Sequence, residues 1–173
     1  MTDITQRLIQ CIPRLRRYAQ ALTGDSNRAD DLVQDSLERA WSRLHLWRGS
    51  GDLRAWLFTI MHNIFANNVR QYARTPPMTS LHDGKEPAAA DAGLDQVLHL
   101  QDVQRALQEL PEAQREVLLL VGMEQLSYEE VATVLDIPIG TVMSRLARAR
   151  EHLRASLGQP RPAKRPRLLR RVK

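Results

Sequence analysis

"LSYEEVATVLDIPIGTVMSRLARAR", residues 126–150, decides how the chain folds. Ser127 and Glu130 form an S-x-x-E capping box, which predicts a helix from Tyr128, because each side chain satisfies a backbone N–H that the first turn leaves free. Val131, Ala132 and Leu135 give that helix an apolar edge, and Ala132 is small enough for another helix to cross closely. Asp136 ends it, since Asp tolerates left-handed backbone better than most residues that carry a Cβ. Pro138 then pre-sets the first turn of a second helix. There Val142, Leu146, Ala149 and Leu153 lie within about 60° of one another at the helical period, a stripe for burial. Opposite lie Gly140, Met143, Ser144, Ala147, Arg148 and Glu151, with Arg145 and Arg150 on the two flanks. Such a narrow, small-side-chained face can sink into a DNA major groove while arginines reach the phosphate walls. The plainer reading is a charged helix facing water in an ordinary bundle. Capping box, tight turn, Pro-started helix and charge pattern together favour DNA.

The net charge of +5 conceals a reversal of sign. Residues 94–136 hold 2 basic and 9 acidic groups, whereas residues 137–158 hold 4 and 1. The flip falls at Ile137, between the two helices. A surface that meets a polyanion explains it, and a uniformly solvated bundle does not. The apolar share of 43% is enough to build a core. No run approaches the roughly 20 apolar residues of a membrane span. The start, "MTDITQRLIQCIPRLRRY", has no secretory pattern, so a cytoplasmic protein is expected. Cys11 is the single cysteine, which excludes an internal disulfide. It reads as a small buried hydrophobe rather than a redox or metal group.

The five histidines are scattered without metal-ligand spacing, and His62 and His99 read as surface or interface residues. No nucleophile–base set and no phosphate-cradling glycine motif is visible. The sequence therefore predicts a protein that is not an enzyme and has no cofactor, metal or small-molecule substrate.

"TPPMTSLHDGKEPAAADAG" (75–93) carries Pro76, Pro77, Gly84, Pro87 and Gly93 and little apolar periodicity, the composition of a flexible linker. It separates a helical block, 1–74, from a second, 94–158. A tail at 159–173 holds 7 basic and 0 acidic groups among prolines, and reads as disordered in isolation. No strand pattern is found. The expected fold class is all-α, two small helical domains with the helix-turn-helix in the second. There Val103, Ala106, Leu107 and Leu110 make one amphipathic helix, and Pro111 opens the next as its first residue.

In the first block Asp25 and Ser26 are capping candidates for a helix whose Val33, Leu37, Ala40, Trp41 and Leu44 form the expected buried stripe. Its other faces carry Asp30, Asp31, Gln34, Asp35 and Glu38, either a solvated face or a docking surface for a basic partner. After the loop 48–52 a further helix starts at Leu53, with Leu57, Ile60, Met61, Ile64 and Phe65 on one apolar face. Asn63, Asn67, Arg70 and Arg74 form a line of two amides and two guanidiniums, suited to base edges and phosphates together. Trp56 begins the same stripe, as a base-stacking ring or as a half-buried anchor. Asn68 sits nearer the apolar face, a local conflict that marks a satisfied amide or a functional position.

"LPEAQREVLLLVGMEQLSYEEVATVLDIPIGTVMSRLARAREHLR" resembles the promoter-reading C-terminal domain of bacterial sigma factors. "ADDLVQDSLERAW" and "WLFTIMHNIFANNVRQ" resemble their N-terminal domain, and the order matches the extracytoplasmic-function (group IV) sigma factors over residues 10–157. The resemblance implies that Asp31, Leu32, Gln34, Asp35 and Glu38 dock on RNA polymerase core, on the clamp helices of its largest subunits. It implies that Arg48, Trp56, Asn63, Asn67, Arg70, Gln71 and Arg74 bind the −10 element and hold a flipped base. Thr141, Met143, Ser144, Arg145, Ala147, Arg148 and Arg150 would read the −35 element. The linker would thread toward the polymerase cleft, and an anti-sigma factor, often membrane-bound, would hold the protein inactive. Met143 stands where the family often has a basic residue, Thr59 and Asn68 where Arg and Asp are common, and Asp35 where Glu is usual. The rival readings are a stand-alone helix-turn-helix repressor or activator, and a protein-binding sigma mimic.

Overall fold

The computed structural model describes residues 2–47, 51–74 and 94–158. Seven α-helices account for most of them: α1 Thr2–Thr23, α2 Ser26–Arg43, α3 Leu53–Arg74, α4 Leu94–Glu109, α5 Glu112–Gly122, α6 Tyr128–Leu135 and α7 Ile139–Gly158. A short 3₁₀ turn, Leu44–Leu46, follows α2. No strand occurs among the described residues, so the all-α expectation holds. The expected linker 75–93 and tail 159–173 lie outside the described residues.

The caps form where their chemistry predicts. Asp25 caps α2 by accepting from the Arg28 N–H at 2.8 Å. At α6 both halves of the capping box close: the Glu130 N–H donates to Ser127 Oγ at 3.2 Å, and the Ser127 N–H donates to Glu130 Oε2 at 2.7 Å. Asp136 terminates α6 in the left-handed region, φ 51° and ψ 51°. Pro111 sits one residue outside its helix, as the N-cap of α5, with φ −53° and ψ 138°. Sequence alone missed Gln125, whose φ of 56° carries the chain out of α5 while the Leu126 N–H reaches Leu120 O at 3.1 Å.

Helices α1, α2 and α3 pack together, as do α4 to α7, and the two groups join through α1 against α4 and α5 and through α3 against α6. The expected apolar face of α3 is buried throughout, as are Val142, Leu146 and Ala149 of α7. Tyr18 of α1 meets Phe58 of α3 edge-on, centroids 4.9 Å apart.

The buried arc of α2 departs from expectation. It runs through Ala29, Leu32, Val33, Ser36 and Ala40, rotated roughly 70° from the expected stripe at 100° per residue. Small residues explain this: Ala29, Ser36 and Ala40 let the neighbouring helices approach closely, and the Ser36 hydroxyl is satisfied by Leu32 O at 2.6 Å. Trp41, expected in the core, is consequently 58% exposed. Leu32, expected on a docking surface, is 2% exposed and belongs to the core.

The two groups share one continuous apolar core, and polar links cross beside it. Backbone carbonyls at the C-terminus of α1 accept from side chains beyond the linker: Gln20 O from Gln104 at 3.3 Å, Ala21 O from Gln108 at 2.9 Å and Leu22 O from Arg115 at 2.7 Å. Gly24 allows this approach. It has φ +70°, and a Cβ there would stand 2.6 Å from the Gln108 side chain. His62 of α3 meets Glu116 of α5 at 2.7 Å, and Arg54 Nη1 donates to Glu124 O at 2.9 Å.

Glu124 is 1% exposed, and neither carboxylate oxygen has a hydrogen-bond partner. Arg14 and Arg17 of α1 approach only to 3.9 Å, and Arg54 of α3 adds its charge. Burial outweighs these three cations and pushes the carboxyl pKa above its ordinary 4.5.

Two predictions follow from these local geometries. Asp136→Val should cost about 1–2 kcal/mol, because a β-branched residue is strained in the left-handed region, while Asp136→Gly should be neutral or stabilising. Thermal melts of the two variants check the sign. For Glu124 the folded state binds more protons than the unfolded one, so its contribution to stability grows as pH falls from neutrality toward 4.5 and is lost as pH rises through the raised value. Glu124→Gln should therefore melt higher than wild type at pH 7, with the gap closing on acidification. Paired melts across that range test it.

Candidate nucleic-acid interface

The −10 candidates are set by the register of α3. Because Leu57, Ile60, Met61, Ile64 and Phe65 face the core, Asn63, Asn67, Arg70, Gln71 and Arg74 are exposed along the opposite side. Trp56 differs from these in being half-buried and packed against the core. Thr59 turns its hydroxyl back to Ala55 O at 3.0 Å. Arg48 lies outside the described residues.

The acidic candidates of α2 and part of the α3 stripe line one continuous groove. One end, of about 530 Å³, is walled by Asp31, Gln34 and Asp35 on one side and by Phe65, Asn68 and Gln71 on the other. The adjoining end adds Glu38 and Asn67. Sequence reading assigned these walls to different partners, and the fold brings them together. Half-buried Asn68, the conflict noted in the α3 pattern, opens into both ends of this groove. Gln34 donates to Glu38 at 3.1 Å, which fixes the acidic wall. At the rim the Arg28 guanidinium lies 5.2 Å from the Tyr72 ring centre. Trp41 stands two turns beyond Gln34 on the same exposed face, so the acidic surface has an apolar end.

On α7 the outward residues fall as the period predicts. Met143, Ser144, Ala147, Arg148 and Arg150 are exposed, and Thr141 and Arg145 are half-exposed on one flank. The Ser144 hydroxyl donates to Thr141 O at 3.1 Å, leaving its lone pairs turned outward. A bare backbone at Gly140, with open space where a Cβ would be, lowers the profile of the helix near its N-terminus. This end of a recognition helix is the one that meets base edges.

Sequence reasoning missed the residues that join the two helical groups: Gln104, Gln108, Arg115, Glu116 and Glu124. The signal was present in "PEAQREVLLLVGMEQ", where Arg115, Glu116 and Glu124 interrupt an otherwise apolar run. Charges placed so are either exposed or paired, and sequence alone does not name partners from the other side of a linker. Among the described residues no group of three or more His, Cys, Asp and Glu could hold a metal ion, and no helix is long and apolar enough to cross a membrane.

Comparison with known proteins places the chain in a family. Residues 8–62 match the family model of the Sigma2 domain of PhyR, and residues 100–153 match that of Sigma-70, region 4. The ECF RNA polymerase sigma factor EcfG of Rhodopseudomonas palustris is 38% identical over 160 residues, 91% of this chain and 87% of that protein. The ECF RNA polymerase sigma factor SigE of Mycolicibacterium smegmatis is 33% identical over 84% of this chain and 58% of its own length. Among solved structures, the sigma factor RpoE in complex with the anti-sigma factor NepR, from Bartonella quintana, aligns with a TM-score of 0.77 at 34% identity, covering 93% of this chain and 100% of that one. CnrH in complex with the cytosolic domain of CnrY aligns with a TM-score of 0.65 at 27% identity over 89% and 86%. With two sigma domain models in order along one chain, and with relatives of this identity and coverage, the chain belongs to the extracytoplasmic-function RNA polymerase sigma factors.

Proposed function

We propose that this chain joins RNA polymerase core, recognises the −10 and −35 promoter elements and assists promoter opening, under the control of an anti-sigma factor. The observation that carries this is the simultaneous exposure of two base-reading helix faces on separate helical groups, with an acidic groove beside one of them. Residues 1–74 serve as the core-binding and −10 domain, 75–93 as linker, and 94–158 as the −35 domain. The basic tail 159–173 adds salt-dependent affinity for DNA. The protein works in the cytoplasm and catalyses no reaction of its own.

Each surface has a physical task. Asp31, Gln34, Asp35 and Glu38 offer negative charge to a basic helical surface of the polymerase, and Trp41 supplies the apolar anchor that charged patches lack. Asn63, Asn67, Arg70, Gln71 and Arg74 combine base-edge hydrogen bonding with phosphate attraction. This suits an element that must be melted, because contacts to an extruded base offset the few kcal/mol of unstacking. The outward face of α7 reads duplex in the major groove.

The packed arrangement cannot do all of this at once. A body of about 135 residues is roughly 37 Å across. Elements centred about 25 base pairs apart lie about 85 Å from each other along B-form DNA. Reading both requires α4–α7 to leave α1 and α3, so the interface built on Arg115, Glu116 and Glu124 opens when the promoter is engaged. A partner that holds the packed form silences the protein, in keeping with the anti-sigma complexes of RpoE and CnrH.

Transcription with purified core polymerase on duplex and on pre-melted templates tests the reading. Initiation should depend on this chain on both. Arg148→Ala should lower duplex initiation by about five- to a hundredfold, and Asn67→Ala should harm the duplex template more than the pre-melted one. Sequence-specific binding without any dependence on core would identify a repressor or activator instead, and core binding unaffected by α7 substitutions would identify a mimic. Trp41→Ala should weaken core binding about thirtyfold with an unchanged melting temperature. Equilibrium titration of labelled protein with core reads the affinity.

A further inference from the structure

The outward face of α7 is divided lengthwise. At 100° per residue Ile139, Met143 and Ala147 lie along one flank, while Thr141, Arg145 and Arg148 lie along the other. Ile139 is 42% exposed and Met143 is 53% exposed, and they stand one turn apart. Both are large apolar side chains left facing water in the half of the helix that enters a groove. Ile139 borders the buried stripe beside Leu146, and Met143 lies further out. Val142, Leu146 and Ala149 already fill the interface beneath α7, and Gly140 between them leaves open space. The major groove presents one apolar group, the C5 methyl of thymine, and an uncharged, flexible thioether beside a branched aliphatic chain complements it. The cationic flank suits guanine edges and phosphates and cannot make that contact.

We infer that Ile139 and Met143 form a thymine-methyl reader on the recognition helix, so that part of the −35 preference of this protein is apolar rather than hydrogen-bonded. The inference rests on the proposed promoter-reading function. It adds to it a particular base feature and the two residues that sense it. It gives Met143 a task distinct from that of a basic side chain at the same place, which would bind phosphate or guanine instead.

The test uses the full chain with core polymerase on a duplex promoter from which it initiates. Each thymine of the −35 element is replaced singly by deoxyuridine, which removes the methyl and keeps every hydrogen-bonding edge. At one or more positions wild-type holoenzyme should lose about fourfold in affinity, the effect of exposing one methyl-sized apolar group. Met143→Ala or Ile139→Ala should weaken binding to the thymine promoter and abolish the difference between thymine and deoxyuridine at that position. Met143→Leu should restore it. An unchanged melting temperature is expected for Met143→Ala, since that side chain is 53% exposed, and melts of both variants separate loss of fold from loss of reading. The inference is overturned if wild type is indifferent to deoxyuridine at every −35 position, or if the protein and DNA changes are additive. Loss on Met143→Ala that ignores the methyls would assign the flank to a protein partner and equally overturn it. Absence of any core-dependent initiation would overturn the promoter-reading function itself, a result distinct from indifference to the methyl groups.

Discussion

One buried guanidinium ties the end of α1 to the end of α4. Arg115 has five N–H groups and uses all of them on acceptors held in fixed positions. Nε donates to Leu107 O, Nη1 to Leu22 O and Gln108 Oε1, and Nη2 to Gln108 O and Leu110 O, at 2.7 to 2.9 Å. Four of these acceptors are carbonyls near the ends of α1 and α4. Helix C-termini leave carbonyls unpaired and carry partial negative charge, which a cation in the last turn normally meets. Neither α1 nor α4 has a basic residue in its last turn. Arg115 supplies that charge to both, from a third helix. Burial pulls its pKa below the ordinary guanidinium value, yet a guanidinium with every donor satisfied remains charged inside a fold.

The joint between the two groups has two components. Its polar links are side chains on backbone carbonyls, an imidazole on a carboxylate and an arginine on a loop carbonyl, groups that find water when separated, and beside them the apolar core runs from one group into the other. Glu124 works against the contact, as a buried carboxylate with two cations at ion-pair distance and no hydrogen bond. The joint thus combines full satisfaction at Arg115 with a buried carboxylate at Glu124 that has ion pairs but no hydrogen bond.

Much of the fold is legible in the sequence because local rules and burial agree. The Ser127–Glu130 box, the left-handed Asp136 and the buried stripe of α7 all follow from backbone hydrogen bonding and a single period. The reading fails on α2, where residue size overrides hydrophobicity. A stripe drawn through Val33, Leu37 and Trp41 ignores how closely helices approach across Ala29, Ser36 and Ala40, and so puts Trp41 inward; Leu32 enters the docking surface only through the family resemblance. It fails again at Arg115 and Glu124, because their partners lie across a linker and no periodicity encodes them. The candidate site divides in the same way. The exposed lines on α3 and α7 are properties of one helix each and are visible from sequence. The groove shared by Asp35, Asn68 and Gln71 depends on how two helices pack.

The closed form hides almost none of the surface assigned to DNA. Asn63, Asn67, Arg70 and Arg74 on α3 and Met143, Ser144 and Arg148 on α7 are all exposed while the two helical groups are joined. Burial of those side chains is therefore not what the packing achieves. Under the proposed function it holds them within a body about 37 Å across, short of the span between two promoter elements on one duplex. Under the proposed function, closure controls a distance, and a partner needs only to stabilise the joint around Arg115 to prevent simultaneous reading. Such a partner need not resemble DNA or compete with it.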